Sequence, residues 1–232
     1  MITEEIEQHL YVQNIALKVL HDIQPFIQVG ISEKEIAQQC VQLFKHLGIK
    51  DCWYHGVPAL VLAGERSILS MSGREYKPND GAIRLGDLVT IDLSPQLNGY
   101  WGDCARSYTM QNASLEEGIR AQKKLHAIMR GIVTPTMTMH AVYTVMNAEI
   151  KSMGYENLDF AGNLGHSIEK EINKRRYIEA DNATPLGDVM LFTFEPHIRK
   201  QGITHGFKRE NIYYFEAGKP MPLGDLKLLE II

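Results

Sequence analysis

"TIDLSPQLNGYWGDCARSY", residues 90–108, sets one acid inside an apolar, strand-like run and a second just past an Asn-Gly pair. Side chains alternate between the faces of a strand, so Thr90, Asp92 and Ser94 share one side, opposite Val89, Ile91 and Leu93. Asn98-Gly99 is the dipeptide preferred by a two-residue hairpin turn, where both positions need positive φ. Strict pairing across that turn would place Asp103 out of step with Asp92, so a bulge or longer loop is expected to align the two acids. On one isolated hairpin such acids are usually only solvated. Their meaning depends on the rest of the chain.

Upstream, residues 3–22 carry Ile6, Leu10, Ile15, Leu17 and Leu20 near helical spacing. Ser32 with Glu35 predicts a capping box opening a second helix, with Ile36, Cys40, Phe44 and Leu47 on one face and Gly48 at its end. "PALVLAG" and "LVTIDL" then read as buried or half-buried strands. Downstream the plan recurs: residues 114–131 read as a helix, and Thr138 and Gly154 stand 106 positions after Ser32 and Gly48. Gly86-Asp87 before "LVTID" is echoed by Gly187-Asp188 before "VMLFTFE". No low-complexity linker intervenes, so residues 1–232 are expected to form one domain of two related halves, roughly 1–110 and 111–232, meeting at a cleft.

Composition limits what such a cleft would bind. A net charge of −4 over 232 residues argues against general nucleic-acid affinity. No apolar stretch is long enough to span a bilayer, and "MITEEIEQHL" resembles no targeting peptide. Three widely spaced cysteines with no CxxC argue against a disulfide framework or a zinc-thiolate site, and point to the cytoplasm.

In the second half Leu191, Thr193 and Glu195 share a strand face opposite Phe192 and Phe194, and Glu195 and Glu210 flank a second reversal. If the halves face each other, four carboxylates converge. Like charges at short range raise one another's pKa, so the cluster calls for cations, and two divalent metals would neutralise it. His166, in the Gly-rich stretch "GNLGH", lies between the two acid pairs in sequence and is a candidate ligand.

These stretches, together with "FTFEPHI" and "KREN", resemble the pita-bread metallopeptidases: methionine aminopeptidases, Xaa-Pro aminopeptidases, prolidases and creatinase. The resemblance covers nearly the whole chain and implies an α+β fold, with two pseudo-symmetric halves around a curved antiparallel sheet. It places the family's metal ligands on Asp92, Asp103, His166, Glu195 and Glu210, with Asp103 and Glu210 bridging two ions and Glu195 also the general base. Manganese, cobalt, iron and zinc all suit such oxygen-rich ligation. The implied substrate is a short peptide or small molecule, and a homodimer is left open.

The chain departs from the family at its helper groups. Met71 or Ser72 stands where one histidine is expected, Asn173 where another is, and Ala105 replaces a threonine. Met71, Asn173 and His205 are therefore candidate substrate contacts, with His197 a further substitute that reads as a surface residue. His55, in "HGVP", reads as structural, and Arg106, Lys208 and Arg209 as strand-end charges able to meet a substrate carboxylate. The leading expectation is an Xaa-Pro-type peptidase, with methionine aminopeptidase as the nearest alternative. A repurposed site acting on a small non-peptide substrate, and a binding module without turnover, are the other readings.

Overall fold

The computed structural model describes residues 3–231. Helix α1 runs Glu4–Asp22, opened by Thr3, whose hydroxyl accepts the Ile6 N–H, with three glutamates at the positive end of its dipole. Helix α2 is Glu33–His46, and the Ser32–Glu35 capping box forms as expected. Helices α3 (Glu116–Ile132) and α4 (Met139–Ser152) make a second pair, with Thr138 capping α4 as Ser32 caps α2. Helix α5 is the short Leu226–Ile231.

The strands are β1 (Asp51–Cys52), β2 (Ala59–Ala63), β3 (Leu88–Leu93), β4 (Pro95–Leu97), β5 (Tyr100–Trp101), β6 (Cys104–Thr109), β7 (Tyr155–Asn157), β8 (Phe192–Phe194), β9 (His197–Lys200), β10 (Phe207–Lys208), β11 (Asn211–Glu216) and β12 (Lys219–Pro222). They form antiparallel ladders β2-β3-β6, β1-β4-β5, β7-β9-β10 and β8-β11-β12. An isolated bridge between Ala105 and Glu210, with the Glu210 N–H donating to the Ala105 carbonyl at 3.0 Å, ties the first ladder to the last.

Alternation along these strands sorts core from cavity. Val89, Ile91 and Leu93 pack with Leu17, Leu20, Ile36 and Phe44 of the first helix pair. Phe192 and Phe194 pack with Leu125, Met129 and Met146 of the second. Burying each such side chain contributes about 1.5–3 kcal/mol, which holds the strands to this register and turns Thr90, Asp92, Ser94 and Glu195 toward a common cavity.

The Asn98-Gly99 turn forms, with φ of 52° and 84°, but it does not join the strands that carry the acids. It connects β4 to β5 in a separate ladder with β1. The chain then returns as β6 beside β3, pairing Cys104 with Leu93 and Ala105 with Asp92. A whole inserted hairpin, rather than a bulge, brings Asp103 to the end of the ladder beside Asp92.

Candidate metal centre

The five acidic and imidazole residues expected to converge line one cavity of about 650 Å³. Asp92 is held by its position in β3. Asp103 is fixed by Gln13 of α1, which accepts the Asp103 N–H at 2.7 Å and donates to its carbonyl at 3.0 Å. Sequence reasoning missed Gln13, because nothing marks a polar residue ninety positions away as a clamp. His166 follows Gly165, which has φ +146° and where a Cβ would fall 2.1 Å from the Thr193 carbonyl oxygen. That glycine lets the loop lie against β8, where the His166 N–H donates to Thr193 Oγ1 and its carbonyl accepts the Thr193 N–H. Glu195 follows β8, and Glu210 enters β11 at the bridge to Ala105.

The chemistry of the donor atoms is more informative than their proximity. His166 Nδ1 lies 2.9 Å from the Ser167 carbonyl, a hydrogen bond only if Nδ1 carries the proton. Burial pushes the imidazole down to about 4, so at neutral pH Nε2 presents a bare lone pair. That lone pair faces Asp103 Oδ2 at 3.5 Å and Glu195 Oε1 at 3.7 Å. Asp103 Oδ2 and Glu210 Oε1 are buried with no hydrogen-bond partner among the described residues. Asp103, His166 and Glu210 each offer a ligand atom within 4.8 Å of the others. Buried electron-rich atoms turned on one another fit a divalent cation in the space between them.

Burial raises the Asp103 carboxyl well above the usual range, with the Asp92 and Glu195 charges adding to it. Glu210 is likewise raised well above, by burial and then by Asp103. Asp92 is raised by burial against the opposing pull of Lys208. Glu195 alone goes down: burial would raise it, but Lys208 and His166 together outweigh that.

Lys208 is therefore no solvated strand end. Its Nζ lies 2.5 Å from Asp92 Oδ2, 3.0 Å from Glu195 Oε2 and 3.5 Å from Glu210 Oε2, so it is the ammonium counter-charge of the cluster. Arg106 and Arg209 do not reach substrate space either. Arg106 is buried and donates to the carbonyls of Ala105 and Glu210 and to Asn211 Oδ1, while Arg209 is buried and donates to the Leu229 carbonyl.

Among the candidate substrate contacts, Met71 and Asn173 line the cavity and His205 does not. His197 does, and it is buried rather than on the surface, with Nε2 donating to the Ser67 carbonyl at 2.7 Å. Its ring lies between the Ser67 carbonyl and Gly206, a packing that its place in a polar reversal did not reveal. His55 also lines the cavity, at φ +49° and with its ring against Tyr54.

Comparison with known proteins identifies the fold and the family. The chain is 28% identical over 199 residues to an uncharacterized peptidase of Schizosaccharomyces pombe, covering 80% of this chain and 41% of that protein. It superposes on an X-Pro aminopeptidase from Thermotoga maritima with TM-score 0.82 and 22% identity, over 97% of this chain and 63% of that one. A methionine aminopeptidase from the same organism gives 0.80 at 17% identity, over 96% and 98%. The fold is thus the α+β pita-bread fold. Residues 7–217 match the sequence pattern of Metallopeptidase family M24, and the chain belongs to that family.

Proposed function

We propose that this protein is a metal-dependent hydrolase that cleaves short peptides, with Xaa-Pro substrates preferred over those beginning with methionine. The observation that carries the reading is the set of unpartnered donors on Asp103, His166 and Glu210, which without a cation would face one another in a buried site. Asp92 and Glu195 complete the five-residue set, and two cations are accommodated if Lys208 yields Asp92. Residues 1–232 are read as one catalytic unit of two related halves, supported by the matched caps of α2 and α4.

When bound, divalent cations polarise the scissile carbonyl and lower the pKa of water. The chain supplies the rest. Glu195 is the cluster carboxyl held below the usual range, so it is ionised and able to accept the proton of the attacking water. Thr193 Oγ1 donates to Glu195 Oε1 at 3.2 Å and Lys208 holds Oε2, which orients the carboxylate. Met71 can neither donate nor relay a proton, and Asn173 can donate without relaying one. Besides His166, the cavity is lined by His55 and by His197, whose Nε2 is engaged by the Ser67 carbonyl.

The test is stripping the protein with chelator, reloading it with manganese, cobalt, iron or zinc singly, and assaying matched Xaa-Pro and Met-Xaa dipeptides. Metal-dependent release of the N-terminal residue from Xaa-Pro is expected, and Glu195→Gln should lower it about 10²–10⁴-fold. Absence of bound metal by elemental analysis, with no hydrolysis of either set, would overturn the proposal. Hydrolysis of Met-Xaa alone would move the reading to methionine aminopeptidase.

A further inference from the structure

A second cation stands in the cavity: Arg175 makes no salt bridge to the carboxylate cluster among the described residues, and its charge acts on Asp103 and Glu195 only from a distance. Arg175 lies over three aromatic rings, its guanidinium carbon 5.1 Å from the Trp53 ring centre, 5.3 Å from Tyr177 and 5.6 Å from Tyr54. Trp53 is itself rigid: it stacks on Trp101 at 4.5 Å and 7° and donates Nε1 to the Gly102 carbonyl. Arg175 Nε donates to the Ile172 carbonyl at 3.0 Å, which fixes the plane of the fork. Neighbouring Arg176 is paired with Glu169, whereas Arg175 makes no salt bridge among the described residues, and its two terminal nitrogens have no hydrogen-bond acceptor there. A guanidinium held on a stacked platform with its fork open is preorganised for a planar anion.

The same rings connect it to the metal centre. Trp53 and Tyr177 each also touch the His166 ring edge-on, at 5.6 and 6.0 Å. Arg175 is thus one ring away from a candidate ligand, a distance that about one to three residues of extended peptide, at about 3.3 Å each, would cover. All four side chains line the cavity.

We propose that Arg175 is a specificity residue that binds a carboxylate of the substrate, so that the cavity selects short peptides bearing an acid near the scissile bond. The inference rests on the peptide-hydrolase reading and narrows its substrate class. The carboxylate is either the C-terminus of a short peptide or an acidic side chain, and both present the same planar pair of oxygens to the fork.

Binding in chelator, followed by the fluorescence of Trp53 and Trp101, tests this without turnover. Ala-Pro-Ala as the free acid is compared with its C-terminal amide and with Ala-Pro-Glu amide. At least one of the two acids should bind about tenfold or more tightly than the neutral amide, the gain expected of one charge-assisted pair. A gain confined to the free acid assigns the C-terminus, and a gain with Ala-Pro-Glu amide assigns the side chain. Arg175→Met, which keeps an apolar chain over the rings, should erase the gain and leave the amide unchanged. Arg175→Lys should keep part of it, and Arg175→Gln serves if the methionine variant does not fold. Equal or unmeasurable binding of acids and amide, or a preference surviving in Arg175→Met, overturns the inference. Because no metal is present, failed hydrolysis by the reloaded protein bears on the peptidase reading and not on this one.

Discussion

Replacing Lys208 with methionine keeps the length of the side chain and removes the charge on which Asp92, Glu195 and Glu210 converge. Burial opposes the ammonium, yet the three carboxylates hold its pKa well above the usual lysine value, so it is charged at any ordinary pH. Removing one member of a buried ion pair costs about 3–5 kcal/mol, because the partners stay buried without compensation. For a chain of this size each kcal/mol is about 2–4 °C of melting temperature, so the metal-free variant should melt about 6–20 °C below the parent.

The pH dependence sharpens the expectation. Asp103 and Glu210 are raised in the fold, so between the ordinary carboxylate range and their raised values the native state holds protons that the unfolded chain has lost. Stability then falls as pH rises through that window. Without Lys208, Asp92 and Glu195 lose the interaction that opposes their burial and join the others, so the slope should steepen. The assay is thermal melting in chelator across neutral pH, repeated with saturating manganese or zinc. Metal at about a hundredfold over its dissociation constant restores about 2.7 kcal/mol per cation bound to the native state alone. If Lys208→Met melts with the parent in chelator at about pH 8, the counter-charge argument fails.

Other outcomes follow from the geometry. His166→Ala should abolish metal binding at the Asp103–Glu210 group, and unchanged occupancy by elemental analysis would refute the ligand assignment. Gly165→Ala should act at the same place from outside the donor set: a Cβ 2.1 Å from the Thr193 oxygen must push the loop off β8, so weaker metal binding and a lower melting point are both expected. Glu33→Ala is a control remote from the donors. Glu33 accepts the N–H groups of Ala63 and Asn79 and the Arg66 side chain while 2% exposed, and its loss should cost about 2–4 kcal/mol in urea unfolding. That variant should bind metal with unchanged stoichiometry once folded.

Much of this architecture is legible in the chain because it is locally encoded. The caps at Ser32 and Thr138, the positive-φ turn at Asn98-Gly99 and the alternation in "LVTIDL" each rest on a few neighbouring residues. The set Asp92, Asp103, His166, Glu195 and Glu210 is legible for a different reason: the strand-face acids point only to a cluster in need of cations, and the family resemblance of their motifs supplies the full set. What escaped is non-local. The Asn98-Gly99 turn says that a hairpin forms, not which ladder receives it, and β4, with β5 on its other side, pairs with β1, more than forty positions upstream. Gln13, Trp53 and His197 owe their roles to packing between distant segments. Arg175 sits in the run "NKRRY", which by pattern is an ordinary solvated charge cluster.

The departures at Met71 and Asn173 gain meaning from what surrounds them. A cavity that had lost its helper histidines and nothing else would be expected to drift toward a bland lining. This one keeps Asp103, His166 and Glu210 buried and Asp92 and Glu195 half-buried, with Gln13 holding Asp103 and with Thr193 and Gly165 holding the His166 loop. Maintaining unpaired donors in a core is costly in stability, so such a constellation persists where a cation repays it. The exchanges fall instead on groups that would touch the substrate, and the same wall carries Arg175 on its aromatic platform and a buried His197. On the proposed peptidase reading, an intact donor set beside an exchanged substrate wall predicts altered specificity. The peptide whose acid best fits the Arg175 fork is therefore the first substrate to try.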